Sequence, residues 1–331
     1  MMFHTGCDGG VSALGDALRD YGGFPGLLRW GRDERFCLDF GRPCIMGILN
    51  VTSDSFSGDG LLGCGKGVDA VEQAVEQAVE RGVEMARLGA DIIDVGGEST
   101  RPGAQPISTK DELARVVGVV AALARRVAVP ISVDTSKLEV MEAALDAGAG
   151  MINDVSALGM AGGDDRDLLD PRKAALLANA GVPIVLMHRR GRPEDMQNNP
   201  QYGDVVGEVY DFLNRRIAAC QENGIDKRRL LVDVGIGFGK SVRHNLELLR
   251  CQRVFRGLGV PLLLGVSRKR IVGFLSGEET PHLRDVGSHV LAVFGMLTGA
   301  SVFRVHDVAG ARQALATAWG WMNDGELMVA L

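Results

Sequence analysis

Acid and amide side chains close several apolar runs of this chain. Asn50 ends Ile45-Met46-Gly47-Ile48-Leu49, Asp134 ends Ile131-Ser132-Val133, Asn153 ends Met151-Ile152 and Asp233 ends Leu231-Val232. A carboxylate accepts a pair of hydrogen bonds from an amino-heterocycle, and a buried carboxylate without such a partner is costly. Asp134, Asn153 and Asp233 therefore form a candidate set for a flat, donor-rich ligand. A second set is cationic. Thr100 and Arg101 follow two glycines in Gly96-Gly97-Glu98-Ser99 and offer hydroxyl and guanidinium donors suited to an anion. Alternation along Phe303-Arg304-Val305-His306-Asp307 puts Arg304 and His306 on one face of a strand. Together these four would cradle a polyanion such as a phosphate ester. Taken singly, each of these residues also reads as an ordinary turn or cap. The run Gly235-Ile236-Gly237-Phe238-Gly239-Lys240 has neither the dinucleotide spacing nor the phosphate-loop pattern. No Ser/His/Asp or Cys/His nucleophile set is recognisable, and His188, at the end of another run, reads as a supporting residue.

Eight strand-like runs position these groups, near 45–49, 91–95, 130–133, 149–153, 183–187, 230–234, 261–266 and 301–305. Segments of helical period lie between them. Val71, Val75, Val79 and Val83 recur every four residues before Gly89, and Val205, Val209, Phe212, Leu213, Ile217 and Cys220 form another stripe. Asp170-Pro171 reads as an N-cap and first helical position, with Gly181 as the stop. Strand–helix alternation with no residues left for a second domain predicts an α/β (β/α)8 TIM barrel over an open doubly wound sheet. Element order alone does not prove closure. Polar groups at many strand ends favour it, because such barrels assemble their sites there, often with phosphate near strands seven and eight. Residues 1–36 read as a short extension, with an amphipathic patch from Leu14 to Tyr21, and 37–331 as the barrel.

The formal charge of −6 excludes a basic footprint for nucleic acid. Six cysteines are scattered without metal or redox spacing, which predicts free thiols in a reducing compartment. Met1 to Gly10 does not read as a signal peptide, and Val290 to Phe303, interrupted by Gly295 and Gly299, is too short for a bilayer. A cytoplasmic protein without a membrane partner is expected.

The motifs MGILNVTSDSF, ADIIDVGGESTRPGA, ISVDT, MINDVSAL, VLMH, GIGFGK, GVSRK and FRVHDV occur in order, and over roughly 36–325 the chain resembles the dihydropteroate synthases, a family of pterin-binding enzymes. The resemblance implies a (β/α)8 barrel, a homodimer, a Mg²⁺ requirement, and two small-molecule substrates, a dihydropterin pyrophosphate and 4-aminobenzoate. It implies that Asn50 helps to hold Mg²⁺ on the pyrophosphate and that Thr100, Arg101, Arg304 and His306 bind that group. Asp134, Asn153 and Asp233 would hold the pterin. Lys269 would touch the pterin near the aminobenzoate and, with Arg304 and His306, make up the catalytic group. Ser53, Phe56, Asp59, Pro102 and Arg270 would lie by the aminobenzoate.

The chain departs from the family pattern at four places. Ser53 replaces a proline, Asp59 is displaced by one position, Val234 stands where proline is usual, and Arg270 replaces a small serine. Pterin recognition is therefore expected to persist while the second pocket, and with it sulfonamide sensitivity, changes. The alternatives are a pterin-binding methyltransferase and a non-catalytic pterin-binding paralogue.

Overall fold

Runs such as Ile184-Val185-Leu186 and Leu230-Leu231-Val232 are apolar on both faces, as parallel strands covered by helices must be. The computed structural model describes residues 26–51, 68–99, 104–160, 168–192 and 195–323. Two short antiparallel strands come first, β1 (Leu27–Trp30) and β2 (Phe36–Asp39). The barrel follows: β3 (Cys44–Asn50), β4 (Ile92–Gly96), β5 (Ile131–Asp134), β6 (Met151–Asp154), β7 (Ile184–Met187), β8 (Leu230–Asp233), β9 (Leu262–Leu264) and β10 (Val302–Val305). Closure, which element order left open, comes from β10: Val302 pairs with Leu263 on one side and Cys44 on the other. The fold is the expected (β/α)8 barrel.

The helices are α1 (Val68–Arg87), α2 (Thr109–Arg126), α3 (Leu138–Asp146), α4 (Pro171–Ala180), α5 (Val205–Glu222), α6 (Val242–Arg250), α7 (Arg270–Ser276), α8 (Asp285–Leu297) and α9 (Val308–Met322). The stripe on α5 is buried as expected. Asp170 caps α4 by accepting from the Arg172 N–H at 2.9 Å, and Gly181 ends it in the left-handed region. On α1 the buried face is instead Ala74, Ala78, Val79 and Met85, with Val75 and Val83 half-buried at its edge. Small residues take the inner face because α1 lies close to α2: a Cβ on Gly82 would come within 2.7 Å of the Leu123 side chain. The side chain of Val71 lies outside the described residues.

The β1–β2 hairpin is absent from the sequence reading, since two four-residue strands around a charged turn give little periodic signal. It runs across residue 36 and packs on the N-terminal end of the barrel, where Trp30 Nε1 donates to the Gly150 carbonyl at 2.6 Å and the Trp30 and Phe36 rings stand 5.5 Å apart. The patch from Leu14 to Tyr21 lies outside the described residues. Among the described residues no helix is long and apolar enough to cross a membrane. Cys37, Cys44, Cys220 and Cys251 are free, and burial pushes the Cys220 thiol up to about 12.

Candidate active site

Barrel register sets the first layer of the site. Asn50 pairs with Gly96, Gly96 with Asp134 and Asp134 with Asn153, so four neighbouring strands present these positions at one level. Asp94 lies two residues below Gly96, on the same face of β4. From β10, Arg304 reaches across the interior: its Nε donates to Asp94 Oδ2 at 2.6 Å and its Nη2 to Asp134 Oδ2 at 2.7 Å. Asn153 Nδ2 donates to the same Asp94 oxygen at 3.1 Å. The second oxygens, Asp94 Oδ1 and Asp134 Oδ1, are buried and accept no hydrogen bond from a described residue. Burial pushes the Asp134 carboxyl up to about 7; Arg304 opposes the rise and Asp94 adds to it. Burial works against the Arg304 cation, but the two carboxylates outweigh it and hold its proton more firmly than usual.

The second layer comes from β8 and the segment after β9. Asp233 Oδ1 accepts from the Gly235 N–H at 2.7 Å; burial raises this carboxyl, while Lys269 and that N–H pull it back. Lys269 Nζ donates to the Ile236 carbonyl at 2.6 Å and lies 4.7 Å from the centre of the Phe238 ring. Burial lowers its ammonium to about 8, against the attraction of Asp233. Ser267 Oγ accepts from the His306 N–H at 3.2 Å and sits 2.9 Å from its Nδ1, which orients the imidazole.

These groups meet at a cavity of about 750 Å³, where Asn50, Asp134, Lys269, Arg304 and His306 share the wall with Arg270. Arg270 is exposed, and its side chain makes no hydrogen bond or ion pair among the described residues. Asn153 and Asp233 are buried at the ends of β6 and β8. Thr100, Arg101, Pro102, Ser53, Phe56 and Asp59 lie outside the described residues.

The sequence reading kept an acid–amide set apart from a cationic set. Arg304 joins them, because β10 closes the barrel and the long guanidinium side chain spans to β4 and β5. Asp94 was missed, although an acid inside Ile92-Ile93-Asp94-Val95 was a usable signal. His188 is buried, with Nδ1 2.9 Å from Lys240 Nζ and its ring edge-on to Phe212 at 4.9 Å, in line with a supporting role. Among the described residues no three His, Cys or acidic side chains converge as a metal site. The Asn50 amide oxygen at the cavity wall fits a hard cation whose remaining ligands are water and substrate oxygens, as Mg²⁺ prefers.

Residues 46–306 match the model of the pterin binding enzyme family. The dihydropteroate synthase of Escherichia coli is 44% identical over 278 residues, which is 84% of this chain and 91% of that protein. The Xanthomonas albilineans dihydropteroate synthase solved with 4-aminobenzoic acid has a TM-score of 0.76 at 45% identity, over 89% of this chain and 98% of that one. A Yersinia pestis dihydropteroate synthase in complex with a sulfonamide drug has a TM-score of 0.78 at 39% identity, over 90% of this chain and 100% of that one. With a matching barrel, a buried acid–amide–arginine cluster and identity across most of its length, this chain belongs to the pterin-binding enzymes, among the dihydropteroate synthases.

Proposed function

We propose that the cavity binds 6-hydroxymethyl-7,8-dihydropterin pyrophosphate and 4-aminobenzoate and joins them, giving 7,8-dihydropteroate and pyrophosphate. The observation that carries this reading is a buried cluster that reaches the cavity through Asp134 and Arg304: Asp94 and Asp134 share that one guanidinium and each keeps an acceptor oxygen without a described donor. Such oxygens suit the ring and exocyclic N–H groups of a pterin, with Asn153 and Asp233 as further partners. Arg304 and His306, with Thr100 and Arg101, hold the pyrophosphate. Asn50 would hold Mg²⁺ there, and when bound the ion supplies neutralisation of phosphate charge.

The bond between the exocyclic carbon and the pyrophosphate oxygen breaks, its electron pair leaving with the oxygen that Arg304 and His306 stabilise. The arylamine nitrogen forms the new C–N bond and then loses a proton. An arylamine is unprotonated at neutral pH, so the residues need mainly to hold the two reactants in line. Lys269, over the Phe238 ring, lines the same cavity and would touch the pterin near the second substrate. Arg270 presents a guanidinium at that wall, suited to the carboxylate of the second substrate. Its bulk, where the family carries a small serine, is the physical basis for altered sulfonamide sensitivity.

The enzyme works in the cytoplasm on this reading, supported by its dispersed free thiols. It works as a homodimer, supported by Val286, Val290 and Phe294 recurring every four residues, exposed, on α8, beside exposed Phe274, Leu275 and Leu283. Trp319 on α9 packs against the core instead. The test is pyrophosphate release with the pterin pyrophosphate, Mg²⁺ and 4-aminobenzoate, with calorimetry for pterin binding and sedimentation for the dimer. Release that depends on both substrates is expected; pterin binding without release would leave a non-catalytic paralogue or a methyltransferase.

A further inference from the structure

At the cavity, among its lining residues, lies a buried charged group that has no part in the proposed reaction. Lys240 is among the largest fully buried side chains of the molecule. Its Nζ stands 2.9 Å from His188 Nδ1, 3.0 Å from the Phe238 carbonyl and 3.3 Å from the His188 carbonyl. The two carbonyls accept, and with the imidazole in its Nε2–H tautomer Nδ1 is a third acceptor, matching the three protons of an ammonium, whereas a neutral amine has only two to give. The amine also lies directly under the glycine loop, since a Cβ on Gly235 would come within 3.2 Å of it.

That loop is pressed onto the end of β7. Gly235 and Gly239 have φ of 69° and 64°, and a Cβ on either would meet the carbonyl oxygens of His188 and Arg190 at 1.9 and 2.0 Å. Its outer edge is pinned too: Asn245 Oδ1 accepts from the Gly237 N–H at 2.8 Å, and Tyr202 donates to the Gly239 carbonyl at 2.9 Å. The same loop supplies the Ile236 carbonyl and the Phe238 ring that hold Lys269, and the Gly235 N–H that holds Asp233.

We propose that Lys240 is a positioning residue that acts through Asp233 and Lys269, fastening the glycine loop to β7 and setting a buried positive charge behind the Asp233 carboxylate. The inference rests on the pterin reading of the cavity. Asp233 is flanked by Lys269, Lys240 and Arg304, and each favours its ionised form against burial. Lys240 in turn faces His188 just after β7, His244 from α6 and Asp233 from β8. Without the Lys240 charge, the Asp233 carboxyl rises further and takes up its proton at a higher pH. Ligand binding that needs the carboxylate is then lost sooner on acidification.

The test compares the parent with Lys240→Gln, which keeps an N–H donor without charge, and Lys240→Met, which removes both. Binding of 6-hydroxymethyl-7,8-dihydropterin is followed by calorimetry from pH 5 to 8.5, with KM and kcat measured over the same range and thermal melting as the folding control. In both variants the acidic limb of binding should move up by about one pH unit, a weakening of about tenfold on that side, while binding at pH 8.5 stays near the parent for Lys240→Gln. Only Lys240→Met should also lower kcat, through the loosened support of Lys269. Folded variants whose pH profiles superimpose on the parent overturn the proposal. A second arm uses the unmodified protein: ¹⁵N resonances of its lysine amines should show Lys240 charged at pH 7, and a neutral amine there overturns the proposal even if both variants fail to fold. A parent that binds no dihydropterin at any pH sinks the pterin reading, a result distinguishable from unshifted variant profiles.

Discussion

Replacing Arg304 with Met removes the one guanidinium that Asp94 and Asp134 share, and leaves an unbranched apolar side chain that ends at the level of Nε. The Arg304 side chain keeps 20% of its surface exposed, whereas those of Asp94 and Asp134 keep 0% and 7%. Breaking a buried pair from one side costs about 3–5 kcal/mol because a charge is stranded, and the partial exposure of Arg304 favours the lower end, about 3 kcal/mol at pH 6.5. Protonation can relieve the stranded charge, which makes the loss depend on pH. In the parent the Asp134 carboxyl is held at about 7, well above its value of 3.8 in an open chain, so its contribution falls away as pH rises towards 7 and then levels off. In the variant its pKa is higher still, so the folded form retains a proton above pH 7 that the unfolded chain has released, and stability keeps falling. The gap to the parent should widen by up to about 1.4 kcal/mol per pH unit over that interval, reaching about 5 kcal/mol near pH 8.5. By thermal unfolding this corresponds to melting about 4 °C below the parent at pH 6.5 and about 7 °C below it at pH 8.5. Adding Asp134→Asn to the variant removes the titrating group and should flatten the pH dependence. Variant and parent melting within 2 °C of one another at both values, or a pH dependence that survives Asp134→Asn, would refute the shared-guanidinium account. Arg304→Met should also weaken binding of the free dihydropterin, not only of its pyrophosphate, because it neutralises Asp134 as well.

In the parent, kcat/KM for the pterin substrate should rise as pH passes about 7, where Asp134 loses its proton, and fall as pH passes about 8, where Lys269 loses its own. A stopped-time pH profile reads both limbs, and Lys269→Arg should erase the alkaline one. Arg270→Ser should raise KM for 4-aminobenzoate about tenfold and leave the KM of the pterin substrate unchanged, as expected for one lost charge-assisted contact; inhibition by a sulfonamide measured alongside should become stronger. Asn50→Ala should raise the Mg²⁺ concentration for half-maximal pyrophosphate release several-fold with little change in free-pterin affinity by calorimetry. An unchanged Mg²⁺ dependence would remove Asn50 from the metal site.

Much of the barrel could be read directly, because its strands are apolar on both faces and its helices carry one buried stripe. The run at Cys44–Asn50 and the stripe on α5 are cases where local pattern and final burial agree. The β1–β2 hairpin left little trace, since its partner surface, Gly150 and its neighbours, is more than a hundred residues away. Polar strand ends marked Asn50, Asp134, Asn153 and Asp233 as candidates for the same reason that makes them conspicuous: a charge or amide closing a buried run needs a partner. By itself, then, the sequence determined the barrel class, the polar rim and the family. Tertiary structure decided which of those groups share a charge. The pairing of Arg304 with Asp94 and Asp134 spans 210 and 170 residues of chain, and the seat of Lys240 under the glycine loop depends on β7 lying beside β8. Such contacts follow from closure and register, which bring distant residues within hydrogen-bond reach, and no local spacing encodes them.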